Sequence, residues 1–89
     1  MPEIRYADQF IEDASAIELP GKRLEVRRRI EQLADFPEIG SRNLLASIVE
    51  LYGPGVRKLV VKPFIVIYEF DVDGNVVDVL GLVHQRAAW

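Results

Sequence analysis

The sequence predicts an α+β domain with the element order β-α-α-β-β-β, in which a helical hairpin packs on a small antiparallel sheet. Apolar residues recur with a helical period up to residue 36, and after the Gly53-Pro54-Gly55 turn they recur with the two-residue period of strands. A run of strands after a run of helices is typical of α+β domains, and 89 residues provide for one hydrophobic core. We therefore expect a single domain over residues 1–89.

The N-terminal part of the chain is predicted to form a strand followed by a helix. Ile4 and Tyr6 alternate with Arg5, as in a short strand. Asp8 can then cap a helix that runs to about Glu18. The apolar residues of this helix fall on one stripe, which we expect to face the core: Phe10, Ala14 and Ile17.

A second helix is predicted after a short break. Leu19-Pro20-Gly21 ends the first helix, and the second begins at or just after Pro20 and ends at Asp35-Phe36-Pro37. Two amphipathic helices joined by so short a break turn back antiparallel, which gives a helical hairpin. Leu24 lies outside the apolar stripe and is expected at the surface. The stripe itself consists of Val26, Ile30, Leu33 and Ala34.

Residues 37–43 are predicted to form a loop. For residues 43–52 we favour a short helix, although the periodicity there also allows a strand.

The C-terminal half is predicted to be a three-stranded meander. Its strands are rich in Val, Ile, Leu and aromatic residues, and Val66 and Val79 should be buried in it. The Asp73-Gly74-Asn75 sequence of the last turn supplies residues that tolerate positive φ, which favours a hairpin. The predicted strands are residues 56–62, 64–71 and 76–83.

Composition excludes several classes of protein. A hydrophobic share of 49% with 28% charged residues is that of a globular chain. The chain has no cysteine and one histidine, so we expect no disulfide, metal site or cofactor. The longest apolar run, Phe64 to Tyr68, is far shorter than the roughly 20 residues of a membrane span. The chain begins without the basic and apolar regions of a secretory signal, so we expect a cytoplasmic protein.

Charge is unevenly distributed along the chain. The net charge of −3 argues against a general nucleic-acid binder. Residues 20–62, however, carry +4, between acidic segments of −4 at residues 1–19 and −3 at residues 63–89. Such a basic segment is most often a solvated helix face with internal ion pairs, such as Glu25 with Arg29. Alternatively, it is complementary to an acidic partner.

Three segments of the C-terminal half form a recognisable set: Gly53 to Leu59, Pro63 to Glu69 and Val79 to Arg86. Together they resemble the RelE/ParE family of type II toxin–antitoxin toxins, in which an Arg-bearing strand leads to an aromatic strand ending in Tyr, and the last strand ends in His-x-Arg. The element order and a Pro-Glu-Ile-Gly sequence after the second helix also match. The resemblance implies a bacterial toxin that inhibits growth, is associated with plasmid stabilisation and is neutralised by a cognate antitoxin.

The target differs between branches of this family. Members similar to RelE cut mRNA on the ribosome, whereas members similar to ParE are implicated in inhibiting DNA gyrase. The RNase members carry basic groups on the sheet, which can stabilise the charge that develops on the scissile phosphate. One of these is an Arg directly after the aromatic residue of the third strand, which here is Ile65, and another is a Lys where this chain has Leu59 or Val61. These departures favour the ParE-like branch.

Candidate catalytic residues lie at one end of the predicted meander. In a meander the turn after the second strand and the end of the fourth strand lie at the same edge, so Lys62, His84 and Arg86 converge there. Histidine can exchange protons near neutral pH and arginine can hold a phosphate, which makes this the smallest set that could cleave RNA. Alternatively, His84 is a polar strand end and Arg86 pairs with Asp78 or Glu3.

Other residues are candidates for binding partners. Leu24, Arg27 and Arg28 on the second helix could contact the antitoxin, and Trp89 could pack on the sheet edge or stack on a base. Arg57 is a further partner candidate at the opposite end of the sheet from His84, although pairing with a carboxylate or capping of carbonyl groups is the favoured role.

Three functions remain open from the sequence. The chain could poison a protein target such as DNA gyrase, which the departures at Ile65 and at Leu59 or Val61 favour. It could be a ribosome-associated mRNA endoribonuclease that uses the His84 edge. It could also be a module that binds an antitoxin without being toxic.

Overall fold

The structure is a computed structural model that describes residues 1–88. Its strands are β1 (Glu3–Tyr6), β2 (Val56–Val61), β3 (Phe64–Asp71) and β4 (Val76–His84), and its helices are α1 (Asp8–Ser15), α2 (Pro20–Glu31) and α3 (Ala46–Tyr52). Turns of 3-10 helix follow α2 at Gln32–Ala34 and β4 at Gln85–Ala88. The predicted α+β class and element order are confirmed, and α3 confirms the helical expectation for the segment after residue 43.

The strand order of the sheet, over the described residues, is β1-β4-β3-β2. β2, β3 and β4 form the predicted antiparallel meander. β1, however, pairs with β4 in parallel, with Glu3 opposite Val76 and Tyr6 opposite Val79. The expectation of an antiparallel sheet was therefore wrong for β1. No tight turn joins β1 to β4, because the helices and two strands lie between them in the chain, so the connection does not require the two strands to be antiparallel.

The break between the two helices begins earlier than predicted. α1 ends at Ser15 and not near Glu18, and the N–H groups of Ala16 and Ile17 donate to carbonyls three residues back. Leu19 is extended, as expected of a residue before proline, and Pro20 occupies the first turn of α2. Ile17 remains buried although it lies beyond the end of α1.

One core lies between the helical hairpin and a sheet face. Of the nine residues predicted to face it, Ala14 and Ala34 are half-buried, and the other seven are buried members of this core: Phe10, Ile17, Val26, Ile30, Leu33, Val66 and Val79. A second cluster lies where Ile48 of α3 packs with Ile65 and Ile67 of β3. Since Ile65 and Ile67 alternate with Val66 along β3, α3 covers the face opposite the hairpin.

The bulge in β4 allows both clusters to form. Ile67 lies opposite Gly81 and Tyr68 opposite Val79, so Leu80 is an extra residue in β4. The insertion places both Val79 and Leu82 in the hairpin core, although an uninterrupted strand would direct residues three apart to opposite faces. A Cβ atom at Gly81 would meet the ring of Tyr52, so α3 can approach β4 only over a glycine.

α1 also closes part of the sheet edge. β1 is too short to pair with β4 beyond Val79. There, the N–H of Leu82 donates to Oδ2 of Asp13 at 3.2 Å, and Oδ1 of Asp13 accepts from Gln9 at 2.8 Å. None of the helices in residues 1–88 has the length and apolar character that crossing a bilayer requires.

Truncation of Leu33 should test the hairpin core. Leu33 is completely buried, and we expect Leu33→Ala to lower the free energy of unfolding by about 2 to 5 kcal/mol, measured by urea denaturation. Leu24→Ala is the matched control, because Leu24 is 44% exposed, and should change stability by no more than about 0.5 kcal/mol. A loss at Leu33 below about 1 kcal/mol would contradict this packing.

Candidate functional site

The structure brings the predicted catalytic segments together at one end of the sheet. His84 pairs with Phe64, and the two rings meet edge to face with their centroids 5.7 Å apart. The N–H of Gln85 donates to the carbonyl of Pro63 at 2.7 Å, which joins the end of β4 to the turn that contains Lys62. The side chains of Lys62, His84 and Arg86 are all exposed.

The His84 ring is oriented by a hydrogen bond from the backbone two residues further along the chain. Nδ1 accepts a hydrogen bond from the N–H of Arg86 at 3.1 Å, so the neutral ring carries its proton on Nε2, the nitrogen available to an external group. Within the described chain neither His84 nor Arg86 forms an ion pair, and Glu3 pairs with Arg5 instead. The hydrogen bond at Nδ1 thus leaves Nε2 as the ring nitrogen that can face an external group. The prediction for Trp89 lies outside the described residues.

Lys62 is linked to the helical hairpin through its main chain. The Nζ of Lys22 donates to the carbonyl of Lys62 at 2.7 Å and pairs with Glu25 at 2.8 Å. This contact fixes the start of α2 against the β2–β3 turn.

Arg57 lies near the opposite end of the sheet and anchors a loop. Its guanidinium donates to the carbonyls of Glu38 at 3.2 Å and Gly40 at 3.0 Å, and it lies 3.8 Å from the Glu38 carboxylate. The side chain is only 19% exposed. Arg57 thus has the capping role that the sequence favoured for it, which leaves little of it for a partner.

Tyr68 anchors the same loop from inside the core. The residue is completely buried, and its hydroxyl donates to the carbonyl of Pro37 at 2.9 Å and accepts from the N–H of Gly40 at 2.8 Å. A Cβ atom at Gly40 would collide with the Tyr68 ring and the Lys58 carbonyl, so this close approach requires glycine. We call residues 36–40 the anchored loop, since Tyr68 and Arg57 together hold its backbone.

A groove of about 610 Å³ runs between α1 and α2. We call it the hairpin groove, and its lining is mainly apolar: Tyr6, Phe10, Ile11, Ala14, Ser15, Ile17, Arg23, Val26, Arg27, Ile30 and Glu31. Ile11 is 55% exposed there. Burial and the Glu31 carboxylate raise the pKa of the Tyr6 hydroxyl, against the lowering effect of Arg27.

The hairpin groove contains one of the predicted partner residues. Arg27 lines it, whereas Leu24 and Arg28 are exposed on α2 outside the lining. Sequence reasoning missed Tyr6 and Ile11. The available signal was that Ile11 is an apolar residue beside the buried stripe of α1 and not on it.

A second opening, of about 530 Å³, lies at the end of the sheet opposite His84. Glu69 and Asp78 are paired across β3 and β4, so their carboxylates lie on one face. We call this opening the acidic cleft, because four of its nine lining residues are carboxylates: Glu38, Arg42, Gly55, Arg57, Glu69, Phe70, Asp71, Val72 and Asp78. In the described part of the chain, no group of three or more His, Cys, Asp or Glu residues is arranged to hold a metal ion.

Comparisons with known proteins agree with this architecture. Residues 4–89 match the model of a protein family described as the ParE toxin of the type II toxin-antitoxin system, parDE. None of the curated proteins compared with the chain is significantly similar to it in sequence.

Two solved structures share the fold. The intact E. coli RelBE toxin-antitoxin complex contains a chain with 13% identity and a TM-score of 0.70, and the match covers 94% of this chain and 96% of that one. The isolated E. coli RelE toxin has 10% identity and a TM-score of 0.72, over 94% of this chain and 84% of that one.

The hydroxyl of Tyr68 should contribute measurably to stability. In Tyr68→Phe the buried N–H of Gly40 and the carbonyl of Pro37 lose their partner, so we expect a loss of about 1 to 3 kcal/mol in the free energy of unfolding. Tyr6→Phe is the matched control, since Tyr6 is 41% exposed, and should be close to neutral. Equal stability of the two variants would mean that the hydroxyl does not hold the loop.

Alkaline pH should destabilise the fold through the same residue. Burial raises the pKa of Tyr68 above its ordinary value of 10.0. As the pH rises, Tyr68 therefore loses its proton at a lower pH in the unfolded chain than in the folded one. Its contribution to the free energy of unfolding is fully present below pH 10 and is lost as the pH rises through the higher pKa of the folded state. Melting temperatures between about pH 8 and pH 11 should fall less in Tyr68→Phe than in wild type. If the melting temperatures of the two proteins fell equally over this pH range, Tyr68 would not be the source of the alkaline destabilisation.

Proposed function

The chain belongs to the ParE toxin family of type II toxin–antitoxin systems, and we propose that it inhibits bacterial growth by binding a protein target such as DNA gyrase. In this proposal it acts in the cytoplasm without chemistry of its own, and a cognate antitoxin neutralises it. The observation that carries the proposal is that three apolar side chains of β2 and β3 are buried in the core. Ile65 is 8% exposed, Leu59 3% and Val61 4%.

RNA-cleaving relatives are expected to carry an Arg at the position of Ile65 and a Lys at that of Leu59 or Val61. Ile65 packs with Ile48 under α3, while Leu59 and Val61 belong to the hairpin core. A Lys or Arg side chain at any of these positions would be buried as an unpaired charge, and the loss of its hydration would strongly destabilise the fold. Two of the working positions expected of an RNase are thus taken up by core packing in this chain.

The charge of the sheet supports the same proposal. The acidic cleft presents the carboxylates of Glu69, Asp71 and Asp78 at the end of the sheet opposite His84. Carboxylates repel a phosphate backbone, whereas RNA binding draws on clustered bases.

The alternative function is a ribosome-associated mRNA endoribonuclease with His84, Arg86 and Lys62 as its catalytic residues. What favours it is their convergence at one edge and the exposed side chain of His84, whose Nδ1 is already hydrogen-bonded. What weakens it is that this edge is held together by the Gln85–Pro63 backbone bond, with no hydrogen bond among the three side chains within residues 1–88. Acid–base catalysis depends on side chains that are positioned against each other and the substrate.

We place the antitoxin on the hairpin groove and the adjoining surface of α2. The floor of the groove is apolar, and its charged lining consists of Arg23 and of Arg27, which pairs with Glu31 at 3.1 Å. Two guanidinium groups against one carboxylate fit an amphipathic segment with acidic residues on its outer side. Leu24 and Arg28, exposed on the same helix, extend the contact across α2. Because burial raises the pKa of Tyr6 above its ordinary value of 10.0, its hydroxyl keeps its proton at physiological pH and can donate to a carboxylate of such a segment.

The mechanism can be tested by comparing two target assays. The purified chain should inhibit DNA supercoiling by gyrase and leave ribosome-bound mRNA intact. The double variant His84→Ala with Arg86→Ala should retain full growth inhibition, because neither residue takes part in the proposed binding. Loss of growth inhibition in a variant that melts like wild type would favour the endoribonuclease, and a wild-type chain without any effect on growth would favour a non-toxic antitoxin-binding module.

The antitoxin site can be tested by titration with the protein encoded beside this chain. Ile11→Asp and Leu24→Asp should each weaken binding by at least about 1 kcal/mol, the loss expected at an interface residue that contributes. Replacing Arg27, Arg28 and Arg29 together by Ala should mainly slow association at low salt. Leu51→Asp is the control, because Leu51 is 73% exposed on α3 and lines none of the three openings described for the structure. Wild-type affinity in all of these variants would exclude this surface.

A further inference from the structure

The anchored loop presents two apolar side chains to solvent on a fixed backbone. Phe36 is 62% exposed and Ile39 is 53% exposed. Yet Tyr68 and Arg57 bind the loop at Pro37, Glu38 and Gly40, and the N–H of Ile39 donates to the carbonyl of Phe36 at 3.1 Å. The loop is therefore held in place by its backbone while its largest side chains contribute little to the core.

A surface of this kind is suited to binding. Single exposed apolar residues are common and carry no meaning by themselves. An aromatic and an aliphatic side chain on a backbone that is already ordered lose little further entropy when a partner covers them. Aromatic residues in such positions are frequent among those that dominate the energy of protein interfaces.

The loop is continuous with the acidic cleft. Phe36, Pro37, Glu38 and Ile39 line a shallow apolar depression of about 310 Å³, and Glu38 also lines the cleft. Of the two guanidinium groups in the cleft, that of Arg57 is already bound to loop carbonyls. The cleft thus has an excess of negative charge directly beside an apolar depression, which is complementary to a cation next to an apolar side chain.

We propose that this combined surface binds the toxin's protein target, through a target segment that presents a Lys or Arg side chain beside an apolar one. The inference rests on the proposed function, since it needs a protein target. It assigns the target and the antitoxin to different places, because the hairpin groove shares no lining residue with the cleft or the depression.

The two surfaces can be separated by substitution. Phe36→Ser with Ile39→Ser removes the apolar part, and Glu69→Gln with Asp78→Asn removes charge from the cleft. Growth inhibition is measured after induction without antitoxin, and binding to the adjacent-gene product and the melting temperature are measured on the purified proteins. Each double variant should lose about tenfold in potency, the effect expected when contributing interface residues are removed, and should bind the antitoxin like wild type. Leu51→Ser, outside both surfaces, should keep full potency.

The sign of the partner's charge can be tested at one position. Ile39→Lys and Ile39→Glu remove the same exposed side chain and differ in charge, so both should fold like wild type. A basic target segment should make the Lys variant about tenfold less potent than the Glu variant, at equal antitoxin affinity.

The outcomes distinguish the inference from the function on which it rests. Wild-type potency in the Phe36 and Ile39 double variant overturns the surface, and equal potency of the Ile39→Lys and Ile39→Glu variants overturns the basic partner. A wild-type chain that does not inhibit growth overturns the proposed function, and this inference with it.

Discussion

The hydroxyl group of Tyr68 connects the interior of this protein to its surface. The ring lies in the core between the helical hairpin and the sheet, and the hydroxyl holds the chain where it leaves α2. Since Gly40 is drawn against the ring, the next residue, Ser41, can form its two backbone bonds with Lys58 and continue along the edge of β2. The path of the chain from the hairpin to the meander thus depends on one buried tyrosine and the glycine that faces it.

The fold places basic and acidic residues on two separate surfaces. The basic residues are concentrated on α2, where Arg23 and Arg27 line an apolar groove. The carboxylates of β3 and β4 gather at the end of the sheet opposite His84, beside the anchored loop. A net charge of −3 conceals this separation, although it was visible in the sequence as a basic middle segment between acidic ends. Only the fold shows that the basic residues of α2 and the carboxylates of β3 and β4 lie on separate surfaces.

Sequence reasoning succeeded where structure follows from local periodicity. The stripe that contains Val26 and Leu33 identified the buried face of the hairpin, and Asn75 has the positive φ expected of the last turn. It failed where contacts are non-local. The parallel pairing of β1 with β4 depends on a strand more than 70 residues away in the chain, and the hairpin groove needs Tyr6 of β1 beside α2. The partners of Tyr68 lie about 30 residues from it in the chain, so local periodicity could not indicate them.

The packing of the sheet also limits the chemistry that its two faces can carry. In this structure both faces of the inner strand β3 are covered, by the hairpin on Val66 and by α3 on Ile65 and Ile67. A catalytic sheet must leave part of a face uncovered and basic to hold a phosphate, and it gives up core packing there. A toxin that acts by binding has no such requirement, so apolar residues can fill both faces and stabilise a small domain that has little core to spare. Under the proposed function, specificity would depend on the parts of the surface that packing leaves free, which in this structure include the hairpin groove and the anchored loop.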